Sequence, residues 1–95
     1  MKKLLVLTAV FTSGLLFSQG GKVIDQLSLK SKILDSDRKY AIYLPGDYDY
    51  SNREYPVLYL LHGGGDDHTG WVQFGEVKSI ADNSNEEGLS TSMII

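Results

Sequence analysis

The residues best placed to do chemistry lie between Pro56 and Trp71, in the segment PVLYLLHGGGDDHTGW. Five apolar residues, Val57 to Leu61, run directly into His62 and then into Gly63, Gly64 and Gly65. Three glycines at the end of an apolar run contribute no packing, so their backbone must adopt a shape or an approach that side chains would block. Backbone N–H groups turned inward at such a bend suit reactions in which a carbonyl oxygen becomes negative. They need no proton transfer and no reorganisation at the moment of reaction. The plainer reading is a tight turn after a strand. His62, Asp66, Asp67 and His68 also offer imidazole and carboxylate donors of the kind that hold metals. Their spacing matches no recognised ligand pattern, so neither metal nor cofactor is expected. Asp66 and Asp67 are better read as accepting backbone amides and anchoring the loop. Tyr48, Tyr50 and Trp71 can stack on a sugar or phenolic ring, although loop aromatics often only cover the edge of a core.

The elements around this loop are legible from periodicity. Val57 to Leu61, bounded by turn formers, reads as a strand buried on both faces. Ligands bind at the carboxyl ends of strands in open α/β sheets, where the glycines sit. Upstream, Leu27, Leu29 and Ile33 alternate with Ser28, Lys30 and Lys32. After the turn cluster Asp35-Ser36-Asp37, Tyr40, Ile42 and Leu44 alternate in the same way until Pro45-Gly46. Together these predict an antiparallel hairpin with one face on a core. Downstream, Val77, Ile80 and Ala81 have the spacing of one helical face, and Gly88 suits the residue after a helix end. Asp82-Asn83-Ser84-Asn85 weakens that helix. Met93-Ile94-Ile95 starts another apolar strand. Strand, strand, buried strand, loop, helix, strand is the order of an α/β sheet whose parallel part has begun.

The chain has 95 residues and a formal net charge of −3. Residues 1–20 read as an export signal: Lys2 and Lys3, an apolar stretch from Leu4 to Phe17, then the small-x-small sequence Ser18-Gln19-Gly20. The protein is therefore expected to be secreted or periplasmic, with residues 21–95 as its mature part. Loss of Lys2 and Lys3 would leave seven basic against twelve acidic residues. Such an acidic surface argues against nucleic acid as a partner. The absence of cysteine excludes a disulfide framework and a lipid-anchored cysteine. The bare apolar end at Ile95 suggests the amino-terminal piece of a longer protein; a short closing strand of a small complete domain is the alternative. An unfinished sheet with an exposed apolar edge would aggregate.

Several stretches together carry a family resemblance. Arg38 to Tyr48 (RKYAIYLPGDY), Tyr55 to Gly63 (YPVLYLLHG), Gly70-Trp71, Ile80 to Asn83, Glu87-Gly88 and Met93 to Ile95 resemble the esterase D-like branch of the α/β-hydrolases. Within it, the match is nearest to secreted feruloyl and xylan-type esterases. It covers nearly all of the mature chain and the first part of the family's catalytic domain. The resemblance implies the amino-terminal segment of an α/β-hydrolase fold and carboxylic ester hydrolysis through an acyl-serine intermediate. Its implied substrate is a small-molecule or plant-polysaccharide ester, of feruloyl or acetyl-xylan type. It places an oxyanion N–H at Gly64, or at Gly65 if the loop register differs, and Trp71 beneath or beside the acyl pocket. It also places the triad histidine last in the chain, so His62 and His68 are expected to shape the loop rather than transfer protons. The family's G-x-S-x-G elbow is missing, since no serine here has glycine two residues before and two after it. Nucleophile, acid and histidine are thus expected beyond Ile95. The rival readings are a non-catalytic carbohydrate-binding or scaffold protein of this fold and an acyltransferase of this fold.

Overall fold

The computed structural model describes residues 20–95. The expected leader therefore lies, apart from Gly20, outside the described residues. Two strands, β1 (Lys22–Ser31) and β2 (Ser36–Leu44), form an antiparallel hairpin. The expected hairpin is present, but β1 starts five residues before Leu27 and ends before Ile33. Ile33 instead sits at the turn tip, 95 % exposed. The reason is local. Ser31 Oγ accepts the Leu34 N–H at 3.1 Å, and Asp35 takes a left-handed conformation with φ of 50°. A short polar side chain tolerates that region, and the chain reverses there before the alternation can continue.

The hairpin ladder slips once. Ile24 faces Ile42 while Leu27 faces Tyr40, so Asp25 and Gln26 together oppose Ala41. One strand thus carries an extra residue, a β-bulge.

The sheet continues past the hairpin through single backbone bonds. Tyr43 and Ile95 exchange N–H···O bonds of 2.7 and 3.1 Å. On its other side the same end segment bonds to the Pro56–Leu58 stretch: Leu58 N–H to Ile94 O at 2.8 Å and Ile94 N–H to Pro56 O at 3.0 Å, a parallel bridge at Val57. Ile94-Ile95 thus lies between Tyr43 and Leu58, and the chain from Leu58 to Ile94 crosses over through two helices.

The expectation that Val57 to Leu61 is buried on both faces is not met. Tyr59 and Leu61 are 83 % and 86 % exposed, and Val57 is exposed too. Burial on two faces needs a covering layer on each side. Among the described residues this stretch has one backbone-paired neighbour, and only Leu58 and Leu60 turn toward a helix.

The helices are α1 (Gly70–Gln73) and α2 (Val77–Glu86). Val77, Ile80 and Ala81 share one face of α2, as predicted, and line an apolar cavity of about 310 Å³ with Leu58, Leu60 and Trp71. The weak helix-forming run from Asp82 to Asn85 stays helical because other parts of the chain hold it. Asp82 Oδ1 accepts Tyr43 Oη–H at 2.7 Å and Gly21 N–H at 2.8 Å, and Asp82 Oδ2 accepts Lys78 Nζ–H at 2.7 Å. Asn85 Oδ1 accepts Ser92 Oγ–H at 3.1 Å. The helix then ends in a Schellman motif. Leu89 N–H bonds Ser84 O at 2.8 Å, Gly88 N–H bonds Asn85 O at 3.2 Å, and Gly88 has φ of 73°.

Candidate functional site

The glycine loop begins five residues past Leu58, the last residue of the parallel bridge. Asp66 N–H bonds Gly63 O at 3.2 Å, closing a four-residue turn with Gly65 in third position at φ of 82°. A positive φ there is the mark of a type II turn, which favours glycine at that position. Gly63 and Gly64 are under a different constraint. A Cβ on either would meet nothing within 4 Å, so this chain's own packing does not demand glycine there. The N–H groups of Gly64 and Gly65 donate to no protein acceptor among the described residues.

Side chains within the segment after the turn hold its backbone. Asp66 Oδ1 accepts Asp67 N–H at 2.8 Å. Asp67 Oδ1 accepts both Thr69 N–H at 2.8 Å and Thr69 Oγ1–H at 2.6 Å. These two bonds from Thr69, the hydroxyl first, hold the Asp67 carboxyl below the usual carboxylate range. The sequence expectation that both aspartates accept backbone amides is therefore seen. Gly70 lies close under Asp66: a Cβ at position 70 would collide with the Asp66 carboxylate, its Cγ lying 2.6 Å away.

Trp71 sits on α1 with its ring half exposed. Its Nε1–H donates to Leu61 O at 3.0 Å, bridging the far side of the loop back to its entry. A Cβ on Gly75 would run into that ring at 2.6 Å. Of the two histidines, His62 Nδ1 donates to Gly63 O at 2.8 Å. His68 Nε2 donates to Asp25 O at 3.0 Å, across to the β1 bulge. The four potential metal ligands thus point to separate backbone partners. Gly64 and Gly65 lie in the turn itself, and Trp71, on α1, reaches the loop only at its entry, through Leu61 O.

Sequence reasoning missed the tie between His68 and Asp25. A signal for it exists: Ile24 and Leu27 stand three apart, so the apolar alternation changes phase at Asp25-Gln26, as a bulge requires.

The family model described as Putative esterase matches residues 31–95. The chain belongs to the Putative esterase family. Among solved structures, a ferulic acid esterase is similar to it at 38 % identity with a TM-score of 0.77. The match covers 80 % of this chain and 29 % of that one, so this Putative esterase chain spans less than a third of that relative's length. Strand β2, the glycine loop and both helices fall in the matched family region, which takes in only Ser31 of β1. The resemblance read from YLPGDY, YPVLYLLHG and Gly70-Trp71 is therefore correct at the level of family.

Proposed function

We propose that this chain is the amino-terminal part of a carboxylic ester hydrolase of the α/β-hydrolase fold that works through an acyl-serine intermediate. The observation that carries the reading is the pair of N–H groups at Gly64 and Gly65, which donate to no protein acceptor among the described residues, on a loop whose Cβ positions no described side chain approaches. In the proposed reaction a serine hydroxyl adds to the ester carbonyl. Negative charge gathers on the carbonyl oxygen, where the Gly64 N–H, or that of Gly65, donates to it. The alcohol leaves, and water then releases the acid from the acyl-serine. One such donor is worth about 3–4 kcal/mol in the transition state.

The serine, its histidine and its acid belong, in this reading, to sequence following Ile95, in the order serine, acid, histidine. Trp71 then borders the acyl pocket. The insertion of Ile94-Ile95 between β2 and the Val57 stretch favours a sheet that becomes parallel at this point. The exposed Val57, Tyr59 and Leu61 face is where the remaining helices of such a domain would pack. Residues 21–95 alone are proposed to be inactive. The likeness to a ferulic acid esterase favours feruloyl or related plant-polysaccharide esters. Residues 1–20 are proposed to direct export.

Hydrolysis of p-nitrophenyl acetate and methyl ferulate by the full-length protein tests the reading, with the downstream elbow serine replaced by alanine as control. Ester hydrolysis that disappears in the control is the expected result. Equal rates in both would overturn it and favour a non-catalytic binding protein. Acyl transfer to an alcohol in preference to water would favour a transferase.

A further inference from the structure

The glycine loop has almost no packing of its own. Among the described residues, no atom beyond the adjoining ones lies within 4 Å of where side chains at Gly63, Gly64 or Gly65 would begin, and the residues from His62 to Asp67 are exposed. Its position must therefore come from its ends. Besides the His62 Nδ1 bond to the adjacent Gly63 O, two ring N–H groups hold carbonyl oxygens there: Trp71 Nε1 on Leu61 O, and His68 Nε2 on Asp25 O, both at 3.0 Å. The first closes the loop on itself across ten residues and moves with it. The second spans 43 residues and ties the loop to β1. Its acceptor lies in the bulge, where Asp25 and Gln26 face Ala41 alone, so the regular ladder is interrupted there. His68 is half-buried, unlike His62.

We propose that His68 is a positioning residue whose Nε2–H, anchored on the Asp25 carbonyl in the β1 bulge, sets the glycine loop in place relative to the sheet. Gly64 and Gly65 then present their N–H groups at a fixed point. The inference rests on the esterase reading for its catalytic consequence, though not for its structural one. His68 exchanges no proton in this role and touches no substrate. Oxyanion donors act on the transition state more than on bound substrate, so a displaced loop lowers kcat and leaves KM nearly unchanged. A displacement of about 1 Å can cost on the order of 100-fold in rate.

Three variants of the full-length enzyme separate donor from ring. His68→Phe keeps a ring and loses the donor, His68→Ala loses both, and His68→Gln keeps an N–H donor. The expected result is a fall in kcat of about 10- to 100-fold in H68F and H68A, with KM within about twofold. H68Q is expected to recover most of that loss, with a pH–rate profile of the same shape as the unaltered enzyme. Equal losses in H68Q and H68F, or full activity in H68F, would overturn the proposal. Should the unaltered protein hydrolyse no ester, the esterase reading fails by itself. The positioning role is then judged by backbone NMR order parameters at Gly63 to Gly65. These are expected to fall in H68F and return in H68Q; no change in H68F would overturn it.

Discussion

Tyr43 Oη donates to Asp82 Oδ1 at 2.7 Å across 39 residues, joining the end of β2 to the middle of α2. The tyrosine is 4 % exposed and the aspartate side chain 16 %. Partial burial raises the tyrosine's pKa well above its usual value, and the bond to Asp82 and its charge add to the rise. At Asp82 burial pushes the other way from its partners. The hydrogen bonds from Lys78, Tyr43 and Gly21 together outweigh it and hold the carboxyl below the ordinary range. One carboxylate thus fastens the chain before β1, the end of β2 and the helix.

Replacement of Tyr43 by Phe in the full-length protein removes a donor to a charged, shielded acceptor and is expected to cost about 1.5–3 kcal/mol. The urea midpoint should fall with no change in slope. The acid limb gives a second check. Because the Asp82 pKa is lowered in the folded state, its contribution is fully present above the ordinary carboxyl value and is lost as pH falls through the folded one. Asp82→Asn should therefore flatten the loss of stability below about pH 4, measured by thermal melts across pH.

Gly64 occupies the second position of the Gly63–Asp66 turn, where type II turns accept proline. Gly64→Pro keeps the turn and deletes one N–H. Its expected effect is a loss of about 100- to 1,000-fold in kcat with little change in melting temperature. Gly65→Ala makes the contrasting case. Its φ of 82° is unfavourable for alanine, and about 1–2 kcal/mol of stability should go with it. Melting curves and kcat on p-nitrophenyl acetate distinguish the two.

Trp71→Phe preserves most of the aromatic surface and removes the N–H held by Leu61 O. If the ring mainly borders substrate, methyl ferulate kinetics should be close to unchanged. If the tether matters, kcat should fall for methyl ferulate and p-nitrophenyl acetate alike. The expected outcome is the second, about 3- to 10-fold, because an off-target loop lowers the rate for every ester.

Gly88 has φ of 73° in the Schellman motif that ends α2. Gly88→Ala is expected to cost about 1 kcal/mol, read from denaturant midpoints, since alanine pays the left-handed penalty that glycine avoids.

Much of this architecture is legible along the chain, because it depends on neighbours in sequence. The alternation of Tyr40, Ile42 and Leu44 marks β2 as a strand but not its buried residues, since Tyr40 is exposed and Tyr43 is buried; Val77, Ile80 and Ala81 mark the face of α2 that lines the cavity. Gly88 announces the helix end, and Gly63 to Gly65 announce the turn in which Gly65 takes its positive φ. Spacing, steric freedom and turn chemistry are local properties, and they are enough to mark where the turn falls. Alternation alone carries the first strand through Ile33 to a turn at Asp35-Ser36-Asp37, whereas the chain reverses over residues 32–35, where Ser31 Oγ holds the Leu34 N–H and Asp35 is left-handed.

Only the tertiary structure decided which distant groups meet. Nothing local says that Ile94-Ile95 enters between Tyr43 and Leu58, that Asp82 serves three donors, or that His68 reaches back to Asp25. Hydrophobic pattern says that Val57 to Leu61 prefers cover, yet not which of its faces receives it. A hydrogen bond between residues far apart in sequence is set by where the whole chain folds, and its donor and acceptor carry no mark of each other in composition or period.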